Sequence, residues 1–194
     1  MEYFVYHINY AKECFGEDLS LSNPRQISLW SKQFLNQIIN QKGFIFNTAI
    51  ECTAEGKPFF VFNPNLHFSI SHTKEYIAIA ISNKPIGIDI EQERKYKKEI
   101  VERFFHPKEA EYLNSLKTPL EQNQAFTKIW TLKESYVKCT GEGIANNFKS
   151  FYISFKDDKS QINNNGTPVK IQAYYNEETK IYIAVSEKLN QERI

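Results

Sequence analysis

No apolar run in this chain approaches the roughly 18 residues that a membrane-crossing helix needs, and no basic stretch followed by an apolar one opens it. Membrane insertion and export are both disfavoured on that reading. Cysteine is scarce: Cys14, Cys52 and Cys139 are odd in number, far apart and without CxxC spacing, so neither a disulfide framework nor a zinc site is signalled. Reduced thiols in a soluble cytoplasmic protein are expected. An excess of one sign of charge is missing too. A formal net charge of +1 leaves no general surplus of Lys and Arg for a nucleic-acid backbone, so any anionic ligand must be met by a local cluster. What the chain does have is apolar material. At 41% hydrophobic and 14% aromatic residues over 194 positions, it is no disordered tail and can build one domain, or two small ones tightly joined.

The stretch Ile86-Gly87-Ile88-Asp89-Ile90-Glu91 stands out. It follows Tyr76-Ile77-Ala78-Ile79-Ala80-Ile81 after a break at Ser82-Asn83-Lys84-Pro85, which predicts the second strand of a hairpin. Alternation along a strand puts Asp89 and Glu91 on one face, with backbones about 6.5 to 7 Å apart, and Ile88 and Ile90 on the other. Two carboxylates side by side repel unless a cation sits between them, and a hard divalent ion such as Mg²⁺ suits oxygen ligands. Taken alone, the pattern reads more often as two solvent-facing acids; it is the accompanying motifs that favour a metal site. Gly87 leaves room for another backbone or a ligand.

Elsewhere the pattern gives a strand near Tyr3–Ile8, a helix from Ser22-Asn23-Pro24 to near Gly43, and a turn at Glu55-Gly56-Lys57-Pro58. Arg25 and Lys32 lie on that helix, where solvated charges are the ordinary reading. Ser71-His72-Thr73 ends a strand with polar groups of the kind that bind phosphate, although a lone His there also serves as a cap or surface residue. The charged segment Glu93–Glu99 reads as a solvated connection, and His106-Pro107-Lys108-Glu109 as a helix start. Asn146-Asn147 and Asn163-Asn164-Asn165-Gly166 read as turns, with strands near Phe151–Phe155, Val169–Tyr175 and Lys180–Ser186.

The longest helix is expected from about Leu120 to Cys139. At about 100° per residue, Thr127, Thr131, Glu134 and Lys138 form one stripe, and Phe126, Ile129, Leu132, Tyr136 and Val137 the opposite side. Glu134 and Lys138 make an i, i+4 pair that also reads as a surface ion pair. Lys133 falls within the apolar arc and must snorkel or find an anion. Combining these pieces predicts a metal site of Asp89, Glu91 and Glu134, flanked by Lys138, His72 and Lys57, which describes phosphoryl chemistry on a diphosphate. A short echo, Tyr76-Ile77-Ala78-Ile79-Ala80 against Tyr182-Ile183-Ala184-Val185-Ser186, suggests two similar α+β halves packed face to face.

Four segments in order resemble the phosphopantetheinyl transferases of the surfactin-synthetase-activating type. They are Gly56-Lys57-Pro58, Phe68-Ser69-Ile70-Ser71-His72-Thr73, Ile86–Glu91 and the run from Trp130 to Gly143. Arg103-Phe104-Phe105 followed by Glu109 resembles the segment between the last two. The resemblance covers roughly the middle half of the chain. It implies an α+β fold, a pseudo-dimer of two similar halves, each a helix packed on an antiparallel sheet. Residues 1–92 would form the N-terminal half on the adenine and 3′-phosphate side, and 93–194 the half with the long catalytic helix and C-terminal strands. It also implies transfer of the phosphopantetheine arm of coenzyme A to a serine of an apo acyl or peptidyl carrier protein, releasing adenosine 3′,5′-bisphosphate.

By position, Asp89, Glu91 and Glu134 would hold Mg²⁺, and Lys138 would neutralise the leaving phosphate. Ser71 and His72 would meet phosphate oxygens, and Lys57-Pro58 would lie near the adenine. Glu134 or a metal-bound water would take the serine proton. The family tends to carry several basic residues near the N-terminus for the 3′-phosphate; here Lys12, Arg25 and Lys32 are available. A functional monomer is expected, with the carrier docking partly on Arg94–Lys108 and the Phe104-Phe105 pair. Two alternatives belong to other classes: a Mg²⁺-dependent nucleotide phosphohydrolase, and a non-catalytic carrier-binding module of the same fold.

Overall fold

The computed structural model describes residues 1–18, 22–44, 47–143, 148–156, 159–164 and 166–189; the expected turn at Asn146-Asn147, and Asn165 of the Asn-rich run, lie outside them. In chain order the elements are β1 (Glu2–His7), α1 (Ile8–Phe15), α2 (Asn23–Gln41), β2 (Ile50–Cys52), β3 (Pro58–Phe60), β4 (His67–His72), β5 (Tyr76–Ser82) and β6 (Ile86–Gln92). There follow α3 (Lys98–Phe104), α4 (Pro107–Ser115), α5 (Pro119–Thr140), β7 (Tyr152–Lys156), β8 (Lys159–Asn163), β9 (Val169–Asn176) and β10 (Ile181–Lys188).

Two antiparallel sheets carry the same topology. In the first, β5 lies between β1 and β4; in the second, β10 lies between β6 and β9. Each half is therefore a strand, a helical part and then a hairpin whose last strand returns to the centre. Strand alternation stacks them in layers. Ile77, Ile79 and Ile81 pack with Trp30, Phe34 and Leu35 of α2, while Ala78 and Ala80 pack against Ile86, Ile88, Ile90, Ile181 and Val185 of the second sheet. On its far side the second sheet is covered by α5, through the cluster of Ile129, Leu132, Tyr136 and Ala184.

This corrects one expectation. The strand Ile86–Gln92 does not pair with Tyr76–Ser82; the chain crosses between sheets at the turn before Ile86, and β6 pairs with β10 from the other end of the sequence. Ile88 and Ile90 are apolar on the face that meets the first sheet, so burying them favours sheet-on-sheet packing over a shared ladder. The open edge of β6 is not left bare, because Ile88 N donates to Ser69 Oγ on β4 at 3.0 Å.

The helix ends follow from local chemistry. Thr118 and Glu121 form a reciprocal capping box at the start of α5, with Pro in its first turn, and Gly141 closes the helix in the left-handed region at φ 81°. His106 and Glu109 cap α4 in the same way. Ser22 occupies the N-cap position of α2, but its side chain makes no capping bond. The charged segment expected as a connection runs outside helix and strand as far as Lys97, and α3 starts at its end, with Val101 buried beyond it.

Lys133 finds its anion deep inside. It is 0% exposed, and its Nζ donates to both carboxylate oxygens of Glu109, at 3.0 and 2.9 Å, and to Phe151 O. Glu109 also accepts from Ile153 N and His106 N, so one carboxylate ties α4, α5 and the start of β7 together. Burial lowers the Lys133 pKa to about 8, against the opposing pull of Glu109.

Candidate active site in the cleft between the halves

Three elements that are distant in sequence meet at Asp89. The carboxylate sits on β6, 3% exposed, and its Oδ1 accepts from Lys138 Nζ of α5 at 2.7 Å and from Ser71 Oγ of β4 at 2.7 Å. Lys138 Nζ also donates to Ser71 Oγ at 3.0 Å, which closes a triangle of side chains across the cleft. The expected helix-surface pair between Glu134 and Lys138 is thus replaced by a cross-element one. Lys138 reaches away from its own helix because Asp89 offers a buried, charge-assisted acceptor, worth more than a solvated i, i+4 partner.

Gly87 is what lets α5 come so close. A Cβ at this position would collide with Ser135 O and Cys139 N, both backbone atoms of the helix. The helix face turned to β6 is the stripe of Thr127, Thr131, Glu134 and Lys138, and the first three are almost completely buried. Neither side of α5 is a solvated one over this stretch. Thr127 Oγ1 accepts from Arg94 N at 2.9 Å, and Ser135 Oγ shares a hydrogen bond with Ser186 of β10 at 2.9 Å.

Glu134 is 7% exposed and Glu91 has 13% of its side chain exposed. Burial first, and then the charge of Asp89, push both carboxyls up to about 7, with Lys138 and Arg94 opposing. The cluster therefore holds more acid than its bases compensate. Arg94 Nη2 pairs with Glu91 Oε2 at 2.6 Å, and its guanidinium lies 5.8 Å from the Trp130 ring centroid. Arg94 was expected only as part of the docking segment, although its spacing of three residues from Glu91 was a usable signal for this cluster. Ser69, which covers the edge of β6, was missed as well.

The remaining expected residues divide. His72 ends β4 beside this cluster, an exposed residue whose imidazole pKa is lowered by its partial burial first and then by the charge of Lys138. A cavity of about 730 Å³ runs past His72, Thr73, Glu91 and Arg94 to Asn23 and Ile27 at the start of α2. Arg25 sits on that first turn with its side chain exposed, and it is not among the lining residues. On the other side of Lys138 a second cavity of about 280 Å³ is lined by Lys57, Pro58, Phe68, Ile70, Val137 and Gly141, among others. Lys57 Nζ is engaged by Cys139 O at 2.5 Å, and burial lowers its pKa. Of the expected docking pair, Phe104 is half-buried, but Phe105 is 2% exposed and stacks on Phe126 in the core.

Among the described residues, no three His, Cys, Asp or Glu side chains are drawn together into a ready metal cluster. The donor chemistry nonetheless fits a divalent cation. Asp89 Oδ2 is buried without a hydrogen-bond partner, and burial, then the charge of Asp89, raises the two neighbouring carboxyls to about 7. Among the described residues, no helix is long and apolar enough to cross a membrane. The cysteines are free thiols, Cys14 and Cys52 exposed and Cys139 buried.

Residues 85–188 match the family model of the 4'-phosphopantetheinyl transferase superfamily. A 4'-phosphopantetheinyl transferase of Bacillus subtilis is 41% identical over 103 residues, covering 53% of this chain and 46% of its own. The 4'-phosphopantetheinyl transferase gsp of Aneurinibacillus migulanus is 39% identical over 130 residues, covering 67% of this chain and 51% of its own. The chain thus spans about half the length of the curated relatives it matches. A holo-(acyl-carrier-protein) synthase from Bacillus anthracis str. Ames aligns over 55% of this chain and 96% of its own at 21% identity, with a TM-score of 0.47. With its family model covering the cleft strand β6, the whole of α5 and the second sheet, the chain belongs to the 4'-phosphopantetheinyl transferase superfamily.

Proposed function

We propose that this chain transfers the phosphopantetheine group of coenzyme A to a serine of an apo carrier protein and releases adenosine 3′,5′-bisphosphate. The observation that carries the reading is the meeting of Ser71, Asp89 and Lys138 at one point between the halves. In this reading Lys138 and His72 would meet the diphosphate, and Ser71 would offer its hydroxyl to a phosphate oxygen. Asp89, Glu91 and Glu134 would hold Mg²⁺, which supplies charge neutralisation at the diphosphate when bound. Glu134, or a water held beside it, would accept the proton of the carrier serine as its oxygen attacks the phosphorus bearing the pantetheine arm. The bond from that phosphorus to the adenosine bisphosphate oxygen then breaks, and Lys138 meets the charge that develops there.

In this reading the pocket beside Lys57 and Pro58 would take the adenine, and Arg25, on the first turn of α2, would serve the 3′-phosphate. Both halves of the cleft come from one chain, which supports a functional monomer. Free thiols on the surface support a cytoplasmic setting.

The test is incubation with coenzyme A, Mg²⁺ and several apo carrier domains, followed by intact-mass measurement. Addition of phosphopantetheine to the carrier serine is expected. Phosphate released from coenzyme A without any carrier would support the phosphohydrolase instead. Carrier binding without any change in mass, under conditions where a known transferase modifies the same domains, would leave a binding module.

A further inference from the structure

Lys57 is set at the end of a tight turn in the first half. Thr53 N donates to Lys57 O at 2.9 Å, and Lys57 N donates to Thr53 Oγ1 at 3.2 Å, so the backbone that carries the side chain is fixed on both sides. From there the ammonium crosses to the other half and donates to Cys139 O at 2.5 Å, in the last turn of α5. The final carbonyls of a helix have no intrahelical donor and lie at the negative end of its dipole, so a partly buried ammonium is a strong partner for one of them.

Cys139 is held on other sides as well. Its amide rests on the bare Cα of Gly87, and its Sγ donates to Pro85 O at 3.2 Å. Two residues on, Gly141 turns the chain at φ 81° against the aliphatic stem of Lys57, where an added Cβ would stand 3.1 Å from Cδ. Lys57 also lines two cavities, of about 280 and about 320 Å³. Immediately before Cys139 comes Lys138, whose reach to Asp89 and Ser71 depends on where that last turn lies.

We propose that Lys57 is a positioning residue: by bridging from the first half to Cys139 O, it locks the last turn of α5 against β6 and fixes the ammonium of Lys138 between Ser71 and Asp89. The proposal rests on the transferase reading for its catalytic consequence, and it differs from a role in which the Lys57 charge itself binds ligand. An ammonium committed to a helix carbonyl acts on the reaction through Lys138.

Two variants and two readouts test it. Lys57→Met keeps the stem and removes the donor; Lys57→Arg keeps a donor. In the ligand-free protein, Lys57→Met is expected to speed amide hydrogen exchange in residues 137–141 about tenfold while the body of α5 is unchanged. With coenzyme A and carrier varied separately, kcat should fall about tenfold and KM for coenzyme A should move less than about threefold, and Lys57→Arg should recover most of both effects. A rise of about tenfold in KM for coenzyme A with unchanged exchange would make Lys57 a ligand contact and overturn the proposal. So would faster exchange with unaltered kcat, or wild-type behaviour on both measures. If the wild-type chain modifies no carrier, the transferase reading fails by itself, and the exchange result still decides whether Lys57 holds the last turn of α5.

Discussion

The two oxygens of Asp89 keep different company: Oδ1 accepts from Lys138 and Ser71, and Oδ2 is buried with no partner. A buried acceptor left unsatisfied costs on the order of 1–3 kcal/mol, and a site that tolerates this is built to receive something. Removing the carboxylate strips Lys138 of its charged partner and takes away one of the oxygens offered to a cation. Asp89→Ala is expected to lower turnover by about two orders of magnitude or more, about 3 kcal/mol in barrier, with a much smaller change in KM for coenzyme A. Adding Glu134→Ala should cost little further, because groups that act as one unit are far from additive. Steady-state kinetics of the single and double variants check both points. Turnover near the wild-type rate for Asp89→Ala in the presence of a chelator is the outcome that sinks the mechanism.

Element packing rests on the contact of α5 with β6. Gly87 meets helix backbone, which cannot swing aside as a side chain could, so Gly87→Ala must push the helix off the strand. Overpacking of this kind costs about 3 kcal/mol, and here it also displaces Lys138 from Asp89; denaturant unfolding together with transfer assays should show both losses. Carrier docking is expected on α3 and α4. On α3 and α4, Lys98 makes a loose surface pair with Glu102 at 3.7 Å, Arg103 lies 5.0 Å from the Phe104 ring centroid, and Lys108 lies 4.5 Å from that of Tyr152. These cations are exposed and weakly committed, as a surface for an acidic partner requires. Charge reversal at Lys98, Arg103 and Lys108 should raise KM for the carrier several-fold more than KM for coenzyme A, and equal effects would move docking elsewhere.

For the whole molecule, the carboxyl cluster links stability to pH and to cations. Glu91 and Glu134 titrate near 7 when folded, above the ordinary value of 4.5, so the folded state holds more protons between those limits. Their contribution to stability is full below about 4.5 and is lost as pH rises through about 7, where the buried charges form without enough compensation. A divalent cation bound by these carboxyls would compete with those protons. Thermal unfolding should therefore show a larger rise in Tm with Mg²⁺ at about pH 8 than at about pH 5.5, and a chelator should abolish the difference. A Mg²⁺ effect independent of pH would separate the cation from these carboxyls.

Some of this was legible in the chain itself. The capping pairs Thr118/Glu121 and His106/Glu109, the Pro in each first turn and the left-handed Gly141 act within a few residues, so local chemistry set the bounds of α4 and α5. The alternation that puts Asp89 and Glu91 on one face is local too. The echo between Tyr76–Ala80 and Tyr182–Ser186 falls on the central strands of both sheets, yet it is out of phase: Tyr76, Ala78 and Ala80 face the other sheet, whereas Ala184 and Ser186 face α5. It marked the repeated topology without marking equivalent residues, since a slip of one residue on a strand exchanges its faces. Tertiary structure alone decided that β6 pairs with β10, that Lys133 meets Glu109, and that Lys138 turns from Glu134 to Asp89. Each of these joins residues far apart in the chain, and the choice among partners is made by which charges and faces are buried together, a property of the assembled layers that no local window of sequence contains.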